Sequence, residues 1–314
     1  MPYNWRNQVN ISSEDKLAIA SEIAKIDFKN DADRKALAEV FTQELREIIE
    51  RDDIISALGV ESVTFEKGQT PQWVTRKGLK AFIHEPGSYA PRSTLTNRVQ
   101  TLYTERISVN PEIEITQLKS GRYGTINEMK RFALEELMGR KYGIIWSTLI
   151  GSVPTTTAAP QYLTVASSAA SSAKKAAIDS GLDYVADQQG SNVVAIVGRR
   201  STLSFLADYN AYGVQANAPS ENRRVTLDNQ LYPETYRGIP VVMLNQYKDG
   251  YGVNVITTNE IMIIGRDTVK LGITHPLDSM EAINADTLMW NIHYWEDYGV
   301  GVFNPERNCR IKLT

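Results

Sequence analysis

From residue 60 to residue 118 the hydrophobic pattern of this chain runs with a period of two, yet it carries too few apolar side chains to build a core of its own. In RVQTLYTERISVN the residues Val99, Tyr103, Ile107 and Val109 fall on one side, and Ile113 and Ile115 continue the alternation past Pro111. Upstream, QWVTRKGLKAFIH holds Trp73, Val74, Phe82 and Ile83 and is broken at Gly78. Alternation of this kind specifies half-buried strand. A charged, extended segment this thin in apolar surface is not stable alone, so it must lie on another body, in its own chain or in a neighbour. Between the two runs, HEPGSYAPRS sets Pro86 and Pro91 about a glycine, and such restricted backbone loses less entropy when it is ordered.

The flanking segments are helical. In residues 31–58, Leu37, Phe41, Leu45, Ile48, Asp52 and Ile55 share one face, with Asn30 or Asp31 as N-cap and Gly59 at the stop. A weaker charged helix at 13–26 lies within the first 28 residues, which read as an arm ordered by a neighbour. Residues 125–150 form a longer helix with Met129, Ala133 and Leu137 beside Leu134, Met138, Ile145 and Leu149. It spans about 39 Å. Gly139 and Gly143 each cost about 1 kcal/mol there and mark either a close approach or a bend.

Residues 152–177, rich in small and hydroxyl side chains, read as a crossover into a helix over 169–189. A buried strand follows at 192–198, then a short helix in RRSTLSFLADYNAYG ended by Gly213, then a loop to about 235. Short strands are predicted at 239–244, 253–257, 261–264 and 268–273, and a long final strand carries Trp290, Ile292 and Tyr294 in alternation. The class is α+β with a mainly antiparallel sheet in the second half.

Little in the chain points to chemistry. Its 314 residues, 42% of them hydrophobic, can fill a core, and 34 basic against 37 acidic residues leave no electrostatic footprint for nucleic acid or an anionic membrane. Cys309 is the single cysteine, which rules out an internal disulfide and fits a reducing cytoplasm. His84, His275 and His293 stand apart, without the spacing that places two ligands on one helix face. Phosphate-cradling glycine motifs and the nucleophile elbow are absent. The pairs Asp52-Asp53, Glu135-Glu136 and Glu296-Asp297 read as solvated acids. Arg199-Arg200 and Arg223-Arg224 can contact phosphate or neutralise neighbouring acids. No secretory signal is read at the N-terminus, and no apolar run approaches the roughly 20 residues that span a bilayer. No catalytic, cofactor or metal residue is assigned; the function reads as one of surfaces.

The order of elements resembles the major capsid protein of tailed bacteriophages, the Hong Kong 97 type of fold. AFIHEPGSYAPRSTLTNRVQTLYTERISVNPEIEI leads straight into INEMKRFALEELMGRKYGIIWSTLIGSV, and NVVAIVGRRSTLSFLADY, YRGIPVVMLN and HYWEDYGVGVFNP follow in order over about 250 residues. The resemblance implies an N-terminal arm and helix (1–59), an extension loop, or E-loop, with a peripheral-domain strand (60–118), a peripheral spine helix (119–155) and an axial domain (156–286). It further implies a peripheral return strand (287–305) and a last axial strand (306–314).

The same resemblance implies self-assembly as hexamers and pentamers into an icosahedral shell around double-stranded DNA, held without sequence-specific binding. Scaffolding, portal and cement proteins are the further partners, with assembly in the host cytoplasm and residence in the virion. Trp73, Arg76, Lys77, Glu85, Tyr89, Arg92, Arg98 and Glu105 are the candidate inter-subunit contacts. Some members join subunits covalently through a loop lysine and a peripheral asparagine, with a glutamate as base. Glu296 falls near the glutamate's place, but Tyr89-Ala90 stand where the lysine would be and Met289 where the asparagine would be, with Asn284 and Asn291 off register. No cross-link is expected. The alternatives are an encapsulin-like nanocompartment shell and, from a different class, an unrecognised hydrolase or binding protein.

Overall fold

A computed structural model describes residues 30–50, 58–66, 69–77, 96–116, 123–156, 159–188, 191–207, 235–244, 246, 254–284 and 289–314. Two sheets organise it. The first contains β1 (Val60–Thr64), β4 (Glu105–Val109), β5 (Glu112–Glu114), β11 (Val269–Asn284) and β12 (Met289–Val302), in the order β1-β11-β12-β4 with β5 beside β12. The second runs β6 (Tyr162–Val165), β13 (Cys309–Leu313), β10 (Glu260–Gly265), β7 (Val193–Arg199), β9 (Ile239–Leu244), β8 (Thr235–Tyr236). A separate two-stranded hairpin pairs β2 (Gln72–Lys77) with β3 (Thr96–Thr101).

Helices α1 (Asp31–Glu50) and α2 (Tyr123–Ser152) cover one face of the first sheet. Asn30 caps α1: its side-chain oxygen accepts from the Ala32 N–H at 3.1 Å, which satisfies an amide the helix cannot. Leu37, Phe41, Leu45 and Ile49 face the sheet, Ile49 taking the place expected of the half-buried Ile48. Polar contacts set the register of α1 on β11: the Thr42 hydroxyl, which donates to the Ala38 carbonyl, accepts from Ser279 Oγ at 2.6 Å, and Arg34 donates to Glu281 at 3.1 Å. Asp52 and Ile55, read as continuing this face, lie outside the described residues.

At 30 residues α2 is about 45 Å long, and its burial changes along its length. Its first half presents Met129, Ala133 and Leu137 to the first sheet; its second half, with Tyr142, Ile145, Trp146 and Leu149, is buried more widely because the second sheet reaches it. Gly143 marks a close approach: a Cβ there would lie 2.0 Å from Val255 Cγ1.

Both faces of the second sheet are covered, which explains the unbroken apolar run IMII at 261–264 in β10. Ile261 and Ile263 face α3 (Ser171–Asp187) together with Ile196, Cys309 and Ile311, whereas Met262 and Ile264 join Ala195 and Val197 in the core shared with α2. Burial pushes the Cys309 thiol up to about 12, so it is an unreactive core side chain. The sheet is mixed, since β6 runs parallel to β13 and β7 to β9.

Three readings of the sequence are corrected. The strand expected to end at 273 continues to Asn284, because register shifts between Ile273 and Asp278 absorb Pro276, and it pairs with β12 in the first sheet. The segment 156–286 therefore supplies strands to both sheets. Residues 254–257 form no strand beyond a single bridge at Asn254; Ile256 is buried there instead. The crossover contains a strand, β6, whose YLTV pairs with β13.

Candidate assembly surface

β1 lies at one edge of the first sheet and β4 at the other, so the chain between them must cross the central strands β11 and β12. It does so over the face opposite α2 and extends the β2–β3 hairpin from the crossing. Pro71 and Leu102 form the base of this hairpin, where the Leu102 N–H donates to the Pro71 carbonyl at 2.9 Å. Trp73 anchors it edge-on to Phe65 with ring centroids 5.0 Å apart and tilted to Phe303 at 5.7 Å. Beyond that base, β2 and β3 pair only with each other among the described residues.

The ladder pairs Val74 directly with Val99, and these side chains are 53% and 54% exposed. Alternation in the sequence put Val99 and Tyr103 on the same side as Ile107. The structure separates them: the strand is interrupted at Leu102–Thr104, Ile107 enters the core, and Tyr103 is left 88% exposed. A β-branched pair on this ladder is apolar surface that none of the described residues buries.

The expected contact residues divide accordingly. Trp73 is half-buried and packs against Phe65 and Phe303 of its own chain. Arg76, Lys77 and Arg98 lie on the hairpin ladder, with Arg76 opposite Asn97 and Arg98 opposite Thr75. Glu105 is exposed at the start of β4. Glu85, Tyr89 and Arg92, and Ala90 with them, lie outside the described residues.

No protein-family model matches the chain, and no curated protein does. Solved structures do match. One from Gordonia phage Cozz shares 14% identity at a TM-score of 0.60 over 83% of this chain and 86% of that one. The asymmetric unit of the bacteriophage PhiM1 mature capsid shares 12% at 0.54, over 82% and 86%. A virus-like particle from Pyrococcus furiosus shares 12% at 0.52, over 84% and 99%. The chain has the fold of a phage capsid subunit. The resemblance drawn from the order of its elements is borne out at that level.

Within this capsid fold, strand alternation splits Glu296 from Asp297, correcting their reading as a solvated pair. Asp297 points to the outer face and accepts two hydrogen bonds from Arg106, at 2.7 and 2.8 Å, an arrangement that holds the guanidinium charged. Glu296 points inward, between Tyr294 and Tyr298, and both its oxygens accept from Lys141 Nζ at 2.9 and 3.0 Å. The two side chains are 7% and 3% exposed. Lys141 also sits 5.4 Å from the Tyr298 ring centroid.

A second buried pair, Arg310 with Glu260, joins α2 to the second sheet. Trp146 donates to Thr257 at 2.9 Å, Thr257 to Glu260 at 3.0 Å, and Arg310 to the Ile150 carbonyl at 3.3 Å near the helix C-terminus.

Sequence reasoning missed Lys141, Glu260 and Arg310 as organising residues. One signal was available: Lys141 continues the four-residue spacing of Met129, Ala133 and Leu137 towards Ile145 and Leu149, and Glu296 continues the alternation of Trp290, Ile292 and Tyr294. A charge on each of two apolar faces implies that they meet.

Of the histidines, the structure brings His275 and His293 to either side of Trp295, with centroids at 6.3 and 5.4 Å. His84 lies outside the described residues, as do Arg223-Arg224 and Asp52-Asp53. Glu135 is half-buried and Glu136 exposed, and Arg199 and Arg200 stand at the β7–α4 junction, α4 being the short helix Arg200–Leu203. Met289 pairs with Glu114 at the end of β12. Among the described residues no three His, Cys, Asp or Glu side chains are placed to hold a metal ion, and no helix is long and apolar enough to cross a membrane.

Proposed function

We propose that this chain is a structural shell protein, the major capsid protein of a tailed bacteriophage. Copies assemble as hexamers and pentamers into an icosahedral shell that encloses double-stranded DNA without reading its sequence. Beyond the fold, the observation that carries this reading is the β2–β3 hairpin, whose paired Val74 and Val99 are exposed on a ladder that none of the described residues covers. A second copy supplies the missing cover. In this reading the first sheet with α2 is the peripheral domain, residues from about 156 to 265 with β13 form the axial domain, and the hairpin is the extension loop. Arg76, Lys77, Arg98 and Glu105, together with Glu85, Tyr89 and Arg92, are its contacts to neighbours. Scaffolding, portal and cement proteins are the further partners, and the shell forms in the host cytoplasm.

The shell is held without covalent cross-links. Glu296, the residue nearest the family's catalytic glutamate, is engaged by Lys141 and lies on the core face.

Negative-stain microscopy of the expressed full chain tests the reading. Capsomers or closed shells are expected, and monodisperse small particles at all concentrations refute it. A denaturing gel of the shells should show only the single chain; a ladder of covalent oligomers contradicts the cross-link statement alone. The likeness to the Pyrococcus furiosus virus-like particle favours a second reading, a nanocompartment that encloses protein cargo. Extraction of purified shells from the native source separates the two: nuclease-protected DNA supports the capsid, co-purified enzyme without DNA the nanocompartment.

A further inference from the structure

Three glycines stand where the hairpin crosses the first sheet. Gly272 on β11 and Gly299 on β12 are direct partners in the ladder, and Gly301 follows on the same face of β12. None of the three requires a left-handed backbone, since a positive φ occurs at other glycines, Gly59 and Gly238. Their lack of a side chain is therefore used for space and not for conformational freedom.

The crossing chain fills that space. A Cβ on Gly272 would lie 3.0 Å from Pro71 Cβ and 3.1 Å from Trp73 Cη2, on the outgoing leg of the hairpin. A Cβ on Gly299 would lie 2.5 Å from the Tyr103 carbonyl oxygen, and one on Gly301 2.2 Å from Leu102 Cδ2, both on the returning leg. Each leg thus rests on its own central strand, and the Leu102 to Pro71 hydrogen bond closes the base between them.

We propose that Gly272, Gly299 and Gly301 form a seat that aims the hairpin. They bring its base into contact with the sheet and fix the inclination at which β2 and β3 leave the body. In the shell-forming reading, on which only this last step rests, that inclination is the direction in which the hairpin reaches a second copy of this chain. The three positions are not equivalent. A methyl on Gly299 meets backbone, which cannot rotate away. A methyl on Gly301 meets the tip of a leucine, which can. A methyl on Gly272 requires Pro71 and Trp73 to yield by a few tenths of an ångström.

Hydrogen exchange of the full chain, read peptide by peptide, tests the seat directly. Gly299→Ala should speed exchange at Leu102 by about tenfold or more while α2 and the far half of β11 keep their protection. Gly301→Ala should have a smaller effect, and adding Leu102→Ala to it should restore the exchange of Tyr103 and Thr104 by removing the collision. Unchanged exchange in Gly299→Ala, or no relief in the double variant, overturns the proposal. Should Gly299→Ala unfold the whole chain, Gly272→Ala decides: faster exchange confined to 71–77 supports the seat, and unchanged exchange overturns it. Microscopy of the same variants reads the aim, with shell yield falling in the order Gly299→Ala, Gly272→Ala, Gly301→Ala. Wild-type chain that forms no shells refutes the capsid reading, while the exchange series still decides the seat.

Discussion

Breaking the pair between Lys141 and Glu296 one side at a time should cost far more than replacing both. At a separation of about 3 Å and an effective dielectric of about 20, the attraction is about 5 kcal/mol, and the desolvation of two ions buried to 3% and 7% exposure offsets most of it. The net contribution of the intact pair is therefore near zero. Lys141→Met leaves a buried carboxylate between Tyr294 and Tyr298, whose hydroxyls have no hydrogen-bond partner among the described residues. A single break should destabilise by about 3–5 kcal/mol, and for a body of this size that lowers the melting temperature by about 6–15 °C. Glu296→Gln should fall at the lower end, because the amide oxygen still accepts from the ammonium. The double change Lys141→Met with Glu296→Leu should lie within about 1.5 kcal/mol of wild type, giving a coupling energy of several kcal/mol in a double-mutant cycle. Thermal and urea melts of the unassembled chain measure all four corners. A cycle whose double variant loses the sum of the singles would refute the account, since additive losses mean that the two side chains are not coupled.

Arg310→Met removes the partner of buried Glu260 and the donor to the Ile150 carbonyl, so a loss of about 3–5 kcal/mol is expected, with raised hydrogen exchange at the end of α2. Tyr294→Phe and Tyr298→Phe each remove an unpartnered buried hydroxyl and should stabilise by about 1 kcal/mol; a loss of that size in urea melts counts against the geometry. The same burial raises both phenols above their ordinary value of 10.0, so the unfolded chain ionises first. Their contribution is fully present below pH 10 and is lost as pH rises through their folded values, and an alkaline melt series should fall less steeply in the double phenylalanine variant. Val74→Lys with Val99→Lys should leave the monomer's stability within about 1 kcal/mol, because both sites are exposed, while abolishing shells; shells at wild-type yield would show that this ladder is not an interface.

What could be read in the sequence was what local period determines. The spine of α2 is marked by apolar residues every three to four positions and the final strand by Trp290, Ile292 and Tyr294, and both stand where expected. The thin region 60–118 correctly implied a segment that leans on another body, and Trp73 shows that part of that body is its own chain. Readings failed where a longer-range constraint outweighed the local pattern. The strand expected over 268–273 runs on to Asn284, and only its partner β12 reveals the bulged register that carries it past Pro276. Val99 and Ile107 have the same parity in sequence but sit on different sheets, because the crossing at Leu102–Thr104 resets the face. Of the expected contacts, Arg76, Lys77, Arg98 and Glu105 lie on the hairpin or beside it, yet nothing in their spacing distinguishes an intermolecular charge from a solvated one.

The two buried ion pairs are joined by one helix, and that has a mechanical consequence. Lys141 ties the middle of α2 to β12 of the first sheet, while Trp146 and the Ile150 carbonyl tie its end to Glu260 and Arg310 of the second. Between these attachments, Gly143 admits Val255 to within contact of the helix backbone. A rigid rod held at two polar points transmits a rotation of either sheet to the other, because buried charge pairs lose several kcal/mol on separation and cannot slip gradually as apolar contacts can. Relative motion of the two sheets must then occur by bending α2 near Gly143 or by breaking one pair outright. Gly143→Ala separates these routes. A Cβ 2.0 Å from Val255 Cγ1 should loosen the joint at Thr257 and Glu260 while leaving Lys141 and Glu296 paired. Faster exchange confined to the start of β10 is the expected result. Equal loosening at β12 would show that the helix bends as a whole and that the two attachments are not independent.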